Sequence, residues 1–254
     1  MNWDMTPIKG SSGNAYSARV DKERLFIKKN GNPFLASIVM EGITPRVLWT
    51  SRTIEGDTLS AQPWISGHTL SPDDMTDTQI NVILSHLHRS HKLVESYKKM
   101  GSQLVTPAVL LEQAENSVDL LKTNSYLTKV IAELKASIPE LKEDEIRVVH
   151  GDVNHKNWML EDKTQKLYLV DWDTVFLSDP CVDIAHILSH YIKPSDWKAW
   201  LQYSGYVPTD KLMEKIAWYG KLSFLRQIAV DAGHGDLKNV NEEILALRAF
   251  NDLF

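Results

Sequence analysis

One cysteine in 254 residues excludes an internal disulfide and any site built on several thiolates. Cys181, beside Pro180 in an apolar stretch, reads as a small packed side chain rather than a nucleophile. No apolar run approaches the roughly 20 residues that span a bilayer. The opening MNWDMTPIKG has no apolar signal-peptide core, so a cytoplasmic protein without a membrane partner is expected. A basic excess is missing as well: 28 Lys and Arg stand against 33 Asp and Glu, and the net charge of -5 gives no electrostatic reason to expect nucleic acid as a partner. Internal repeats and low-complexity linkers are also lacking. What remains, 43% hydrophobic and 24% charged residues, describes an ordinary globular chain long enough for two lobes around a cleft.

Most of the chemistry lies in residues 148–173, VVHGDVNHKNWMLEDKTQKLYLVDWD. Two apolar runs, 146–149 and 167–170, are too short for helices and rich in β-branched residues, so they read as neighbouring strands of a hairpin. One delivers His150, Asp152 and Asn157, and the other delivers Asp171 and Asp173. A carboxylate to accept a proton, an amide oxygen and further carboxylates are the side chains needed to hold magnesium and deprotonate a hydroxyl. Phosphoryl transfer is the chemistry this inventory points to.

The N-terminal region reads as a small antiparallel sheet with one helix. Strands are expected at 15–20, 25–27, 47–49 and 59–64, and the Gly10 to Asn14 turn, with Ser12 at its centre, can bring backbone N–H groups to phosphates. Asn32 and Pro33 open a short helix that Gly42 and Pro45 close, carrying Glu41. A lysine on a strand and a glutamate on the next helix can pair so that the ammonium is aimed at a nucleotide; Lys28 and Glu41 are placed for this, or are two solvated surface charges. Ser66-Gly67 reads as a hinge, dividing the chain into 1–66 and 67–254.

Beyond the hinge the pattern is helical. Ser71-Pro72 is expected to cap a long helix with Ile80, Ile83, Leu84 and Leu87 on one face, and a second long helix spans about 117–138. His86, His88 and His91 read as capping or surface residues, and His186 and His190 as packed histidines on a buried helix from Val182. Trp158, Trp172, Trp218 and Tyr219 are aromatics that belong to the core or line a groove against a substrate.

The pattern His150-x-Asp152-x-x-x-x-Asn157, followed by Asp171-Trp172-Asp173 and by Asp179-Pro180-x-x-Asp183-Ile184-Ala185, resembles the aminoglycoside phosphotransferase and choline kinase family of small-molecule kinases. Gly151 stands where protein kinases carry arginine, and no Ala-Pro-Glu follows. The resemblance implies an α+β, bilobal, protein-kinase-like fold, with a nucleotide lobe over a larger helical catalytic and substrate lobe. It implies ATP and Mg2+ as cofactors, Asp152 as catalytic base, Asn157 and Asp171 as metal ligands, and Lys28 paired with Glu41 around ATP. Gln62 and Trp64, in the connecting segment, would meet the adenine, and Asp183 would brace the catalytic loop. Asn154 departs from the family pattern, with His155 just after it; His155, Asp173 and Tyr219 are the candidate acceptor contacts. Along its length the chain also resembles kinase-like cell-cycle regulators of Firmicutes, which implies a cell-division partner such as FtsZ. The expected activity is phosphorylation of a small-molecule hydroxyl on a nucleoside ribose, an amino alcohol or a sugar. The alternative is a kinase-like binding protein of the division machinery. A sugar-nucleotide glycosyltransferase using Asp171-x-Asp173 would leave His150, Asp152, Asn157 and Lys28 without a role.

Overall fold

The structure, a computed structural model, describes residues 5–8, 13–20 and 23–254. Strands β1 (Met5–Pro7), β2 (Ala15–Val20) and β3 (Glu23–Lys29) are followed by helix α1 (Leu35–Met40), then β4 (Trp49–Arg52) and β5 (Thr58–Pro63). They form a five-stranded antiparallel sheet of order β1-β2-β3-β5-β4. Alternation explains its faces: Leu25 and Ile27 point into a small core with Ala18 and Ala61, while Lys28, one residue out of phase, points the other way. Helix α1 starts two residues later than expected, because the Asn32 side chain accepts the Phe34 N–H in a turn instead of capping the helix. Its Ile38, together with Phe34, joins the core of the helical region.

At the expected hinge, the Ser66 carbonyl accepts the Asp162 N–H at 3.0 Å. Gly67 opens strand β6 (Gly67–Thr69), where a Cβ would collide with the Leu160 carbonyl. The long helix expected from Ser71 is divided: a 3-10 turn over Pro72–Thr76 precedes α2 (Thr78–Arg89), whose first N–H groups are capped by Asp77. Helix α3 (His91–Lys99) follows, capped by Ser90. The span expected as one helix over 117–138 is also interrupted, giving α4 (Pro107–Ser117), α5 (Leu120–Thr123) and α6 (Ser125–Ala136). Asn124 takes extended φ/ψ and accepts the Tyr126 and Leu127 N–H groups, so α6 has its own start.

Strand β7 (Arg147–Val149) and β8 (Trp158–Glu161) flank the 150–157 loop, the one expected from the sequence to be catalytic, and β9 (Leu167–Leu169) and β10 (Phe176–Ser178) flank the Asp171 turn. The expected hairpin of the two apolar runs is not formed. β7 pairs with β10, and β9 pairs with β8 in a sheet of order β6-β8-β9. The two loops are thus each bounded by one strand of either sheet, which places them side by side. Helices α7 (Cys181–Tyr191), α8 (Trp197–Tyr203), α9 (Asp210–Gly233) and α10 (Leu237–Asn251) complete the chain. The core they enclose includes Ile184, Ile187, Leu188, Leu225 and Ile228, all with no exposed surface, and each such side chain contributes on the order of 2 kcal/mol relative to exposure.

Candidate active site

Three side chains tie the catalytic loop to its surroundings. His150, fully buried, donates through Nε2 to the Val170 carbonyl at 3.0 Å and accepts the Asp152 N–H at Nδ1, at 3.3 Å. This bridges the two loops and sets the imidazole tautomer. Its ring meets Trp172 edge-on with centroids 4.6 Å apart. Thr174 Oγ1 donates to the His150 carbonyl at 2.9 Å, and the Val170 N–H to the Asn157 carbonyl at 2.9 Å.

Asp183, at the first turn of α7, braces the same loop as expected. Its two oxygens accept the N–H groups of His150 and Gly151, both at 2.9 Å. The third partner was not expected: His88 Nε2, 2.9 Å from Asp183 Oδ2, in a pair whose side chains are 1% and 0% exposed. Burial alone would push the Asp183 carboxyl up, but the hydrogen bond and charge of His88, with His150 and the Gly151 N–H, hold it below the usual range. His88 is therefore no surface residue, although His86, two positions away on α2, is half exposed. Gly151 makes the turn with φ +81, and a Cβ there would lie 2.6 Å from the Phe176 ring and 2.8 Å from the Thr174 carbonyl. The arginine of protein kinases has no room at this position.

The loop so held presents Asp152. Its Oδ1 accepts from Asn154 Nδ2 at 2.5 Å and its Oδ2 from Asn157 Nδ2 at 3.0 Å. Asn157 Nδ2 also donates to the Asp152 carbonyl at 2.9 Å, so its amide nitrogen is fully committed and its oxygen is the end left to act as a ligand. Asp171 adopts left-handed backbone, φ 62 and ψ 69, an uncommon conformation for a residue other than glycine and typical of functional turns. An amide oxygen and a carboxylate form an all-oxygen donor set, which suits magnesium and not a softer metal.

Lys28 reaches this turn from the sheet. Its Nζ lies 3.1 Å from Asp171 Oδ1 and 2.7 Å from Asp173 Oδ2. Burial would lower the lysine, yet the two carboxylates prevail and hold its pKa above the ordinary value. The expected Lys28–Glu41 pair is absent. Glu41 caps the C-terminal end of the short α1 and turns toward α2 and α3, where it meets His86 Nε2 at 2.9 Å and Ser90 Oγ at 3.3 Å. Gln62 is buried, its side-chain amide donating to the Pro45 carbonyl at 2.5 Å, and Trp64 lies under the Arg24 guanidinium at 3.5 Å. Ser12 lies outside the described residues.

Beside Asp152 opens a cavity of about 540 Å3, walled by the catalytic loop, α7, α9 and the start of α10. His155 lines it and shares the Tyr191 hydroxyl, through N–H and Nδ1, both at 3.2 Å; burial and neighbouring Lys156 lower its pKa. Tyr219 does not line it. The ring is 2% exposed and packs edge-on against Trp218 in the core, because it falls on the inward face of α9. No tryptophan lines the cavity among the described residues, and Trp158, Trp172 and Trp218 are buried.

The wall supplied by α9 and α10 escaped sequence reasoning. Arg226 lines the cavity and donates to the Gly151 carbonyl at 3.1 Å; burial lowers its pKa, while Asp152 and Asp183 oppose that. One signal was available, a lone arginine between the apolar positions Leu225 and Ile228. His186 and His190 are packed, as expected, both against Ser223 Oγ, at 2.8 and 3.1 Å, and both line the cavity. Burial lowers His186 to about 4 and raises Glu243, which lies 3.8 Å from His190, to about 7.

A helical lobe that holds a His-x-Asp loop and an Asp turn beneath a small antiparallel sheet, with a lysine reaching between them, is the arrangement of a kinase-like phosphotransferase. Residues 32–207 match the model of the phosphotransferase enzyme family, and the chain belongs to that family. The structure is similar to choline kinase LicA from Streptococcus pneumoniae, with a TM-score of 0.68 and 16% identity over 97% of this chain and 93% of that one. It is similar to aminoglycoside 2'-phosphotransferase-IIIa in its GDP complex, with a TM-score of 0.67 and 15% identity over 99% and 93% of the two chains. Spectinomycin phosphotransferase APH(9)-Ia, in complex with ADP and spectinomycin, gives 0.64 and 16% over 99% and 89%. The bilobal kinase-like fold is thereby established. No helix among the described residues is long and apolar enough to cross a membrane.

Proposed function

We propose that this phosphotransferase moves the γ-phosphoryl group of ATP to a hydroxyl of a small polyhydroxylated molecule. The observation that carries the reading is the way both oxygens of Asp152 are held by Asn154 and Asn157 at the mouth of the 540 Å3 cavity. In the reaction the acceptor O–H gives its proton to Asp152, the freed oxygen forms a bond to the γ-phosphorus, and the bond to the β-phosphate oxygen breaks. Lys28 balances charge on the departing diphosphate. Asn157 and Asp171 would hold magnesium, which supplies charge neutralisation of the phosphates when bound. On this reading residues 1–66 bind the nucleotide and 67–254 carry the catalysis, and the segment with Gln62 and Trp64 would face the adenine.

The lining selects among acceptors. Among the described residues Tyr191 is the one non-histidine aromatic ring at the cavity, against Ser223, Gln227, Asn239, Asp231 and Glu243. Hydrogen-bonding groups of this kind suit the hydroxyls of a sugar or of a nucleoside ribose, whereas a quaternary ammonium calls for an aromatic enclosure. Part of this wall, from Ser223 to Glu243, follows residue 207, where the family match ends. Assay of ADP release against sugars, nucleosides and amino alcohols tests the reading, with turnover on a hydroxylated acceptor expected and a loss of at least about a hundredfold in Asp152→Asn. Full activity of that variant would refute Asp152 as base.

The likeness of residues 10–16, 45–52 and 218–220 to the Firmicute cell-cycle regulator CcrZ extends the proposal to a role beside the division machinery, with FtsZ as the partner to assay. Magnesium-dependent nucleotide binding by calorimetry separates the readings: a binding protein without turnover would show FtsZ association with Asp152→Asn unimpaired and no ADP release from the wild type.

A further inference from the structure

Behind His88 lies a second cavity of about 370 Å3, which shares no lining residue with the cavity beside Asp152 among the described residues. Its wall carries Arg89, Arg147, Lys211 and Lys215. Lys215 is neutralised, 2.8 Å from both Glu145 and Asp179. The other three form no ion pair among the described residues. Arg89 spends Nη2 on the Ser204 and Gly205 carbonyls, at 3.1 and 3.0 Å, and Arg147 spends Nη1 on the Asp144 and Ile146 carbonyls, at 2.7 and 2.8 Å. Each guanidinium keeps donors for another acceptor. Among the described residues Asp144 is the one lining carboxylate not held by Lys215. The first turn of the 24-residue helix α9 also faces the cavity through Thr209 and Lys211, adding the positive end of its dipole.

The same wall is wired to the catalytic loop. The Tyr206 hydroxyl lies 3.1 Å from His88 Nδ1, His88 Nε2 lies 2.9 Å from Asp183, and Asp183 holds the His150 and Gly151 N–H groups at 2.9 Å. Tyr206 lines the same cavity as both guanidinium groups, and burial pushes its phenol up. Asp183 only accepts, so His88 donates to it from Nε2, and the other ring nitrogen, Nδ1, is shared with the Tyr206 hydroxyl. An anion in this cavity would compete with His88 for the Tyr206 hydroxyl.

We propose that this cavity binds a small phosphorylated anion, and that Tyr206, His88 and Asp183 relay its presence to the backbone of the catalytic loop. The binding stands whether or not Asp152 transfers phosphoryl groups. Calorimetric titration of the full chain with inorganic pyrophosphate tests it. Saturable binding is expected, weakened at least about tenfold in an Arg147→Gln/Lys211→Gln double variant and changed less than about twofold in Lys28→Gln. The single exposed substitution Lys211→Gln, which removes no packed group, is expected to weaken binding in the same direction. Amide exchange reads the relay: pyrophosphate should alter protection of the His150 and Gly151 N–H groups severalfold in the wild type and leave it unchanged in Tyr206→Phe, which still binds. Absence of saturable binding, or binding that survives the double substitution, overturns the site. Loss in Lys28→Gln instead would move the anion to the cleft, and unchanged exchange on binding would overturn the relay.

Discussion

Two carboxylate clusters in this molecule use the same ingredients and meet water differently. In the first, Lys28 joins Asp171 and Asp173, whose side chains are 49% and 41% exposed. In the second, His88 meets Asp183 in a pair that is almost wholly buried. Solvent screens the first cluster, so its geometry adds little stability and can be exchanged for other partners. The second sits where an unpaired charge has no water to turn to, so it rigidifies whatever it touches. What it touches is the N–H pair of the catalytic loop. The difference leaves one cluster open to exchange with solvent and commits the other to keeping the loop in one conformation.

That contrast can be broken experimentally. The largest effect is expected from Asp183→Ala, which strands His88 and two N–H groups and should cost about 3–5 kcal/mol in urea unfolding; a loss below about 1 kcal/mol would show that the buried cluster is no anchor. Next comes Gly151→Ala, in which left-handed backbone and the Phe176 contact combine; about 1–3 kcal/mol of destabilisation is expected. Replacing Lys28 by Met should change stability by less than about 1 kcal/mol, with an even smaller effect in high salt, while nucleotide affinity falls sharply; equal stability losses for Lys28→Met and Asp183→Ala would erase the distinction.

The smallest effect concerns Glu243, whose pKa is raised by burial, and further by Asp231 and Glu242, to about 7 from an ordinary 4.5. Between those values the folded state binds more protons than the unfolded one, so this group's contribution is complete below 4.5 and is lost as pH rises toward 7. His186, lowered to about 4 by burial, acts in the opposite sense, its contribution being lost as pH falls from 6.5 to 4. The difference in unfolding free energy between wild type and Glu243→Gln isolates the carboxyl. It should fall with rising pH by about 1 kcal/mol after allowance for partial exposure, and a flat difference would mean that Glu243 is charged throughout.

Sequence reading reached the elements whose cause is local. The sheet strands follow from period-two alternation around Leu25 and Ile27, and the loop from the spacing of His150, Asp152 and Asn157. It failed where a residue answers to distant neighbours. His88 looked like a surface histidine because the pattern of α2 does not show that α7 and Tyr206 close over it. Glu41 looked like the partner of Lys28 because both stand at the right places along the chain, yet the short α1 delivers it to His86 and Ser90. Helix breaks at Asp77 and Asn124 were legible in principle, both being good caps, but apolar periodicity ran across them.

By itself the sequence determined the chemistry on offer: an oxygen-rich, thiol-poor set of groups in two short loops, and an antiparallel sheet followed by helices. Those are consequences of side-chain type and local spacing. Tertiary structure alone decided which charges are buried and which are wet. It took the pairing of β7 with β10 and β9 with β8 to set the loops side by side, and the packing of α9 to bring Arg226 to Gly151. The strength of a charge pair depends on the dielectric around it, and that is a property of the folded neighbourhood that no local run of residues contains.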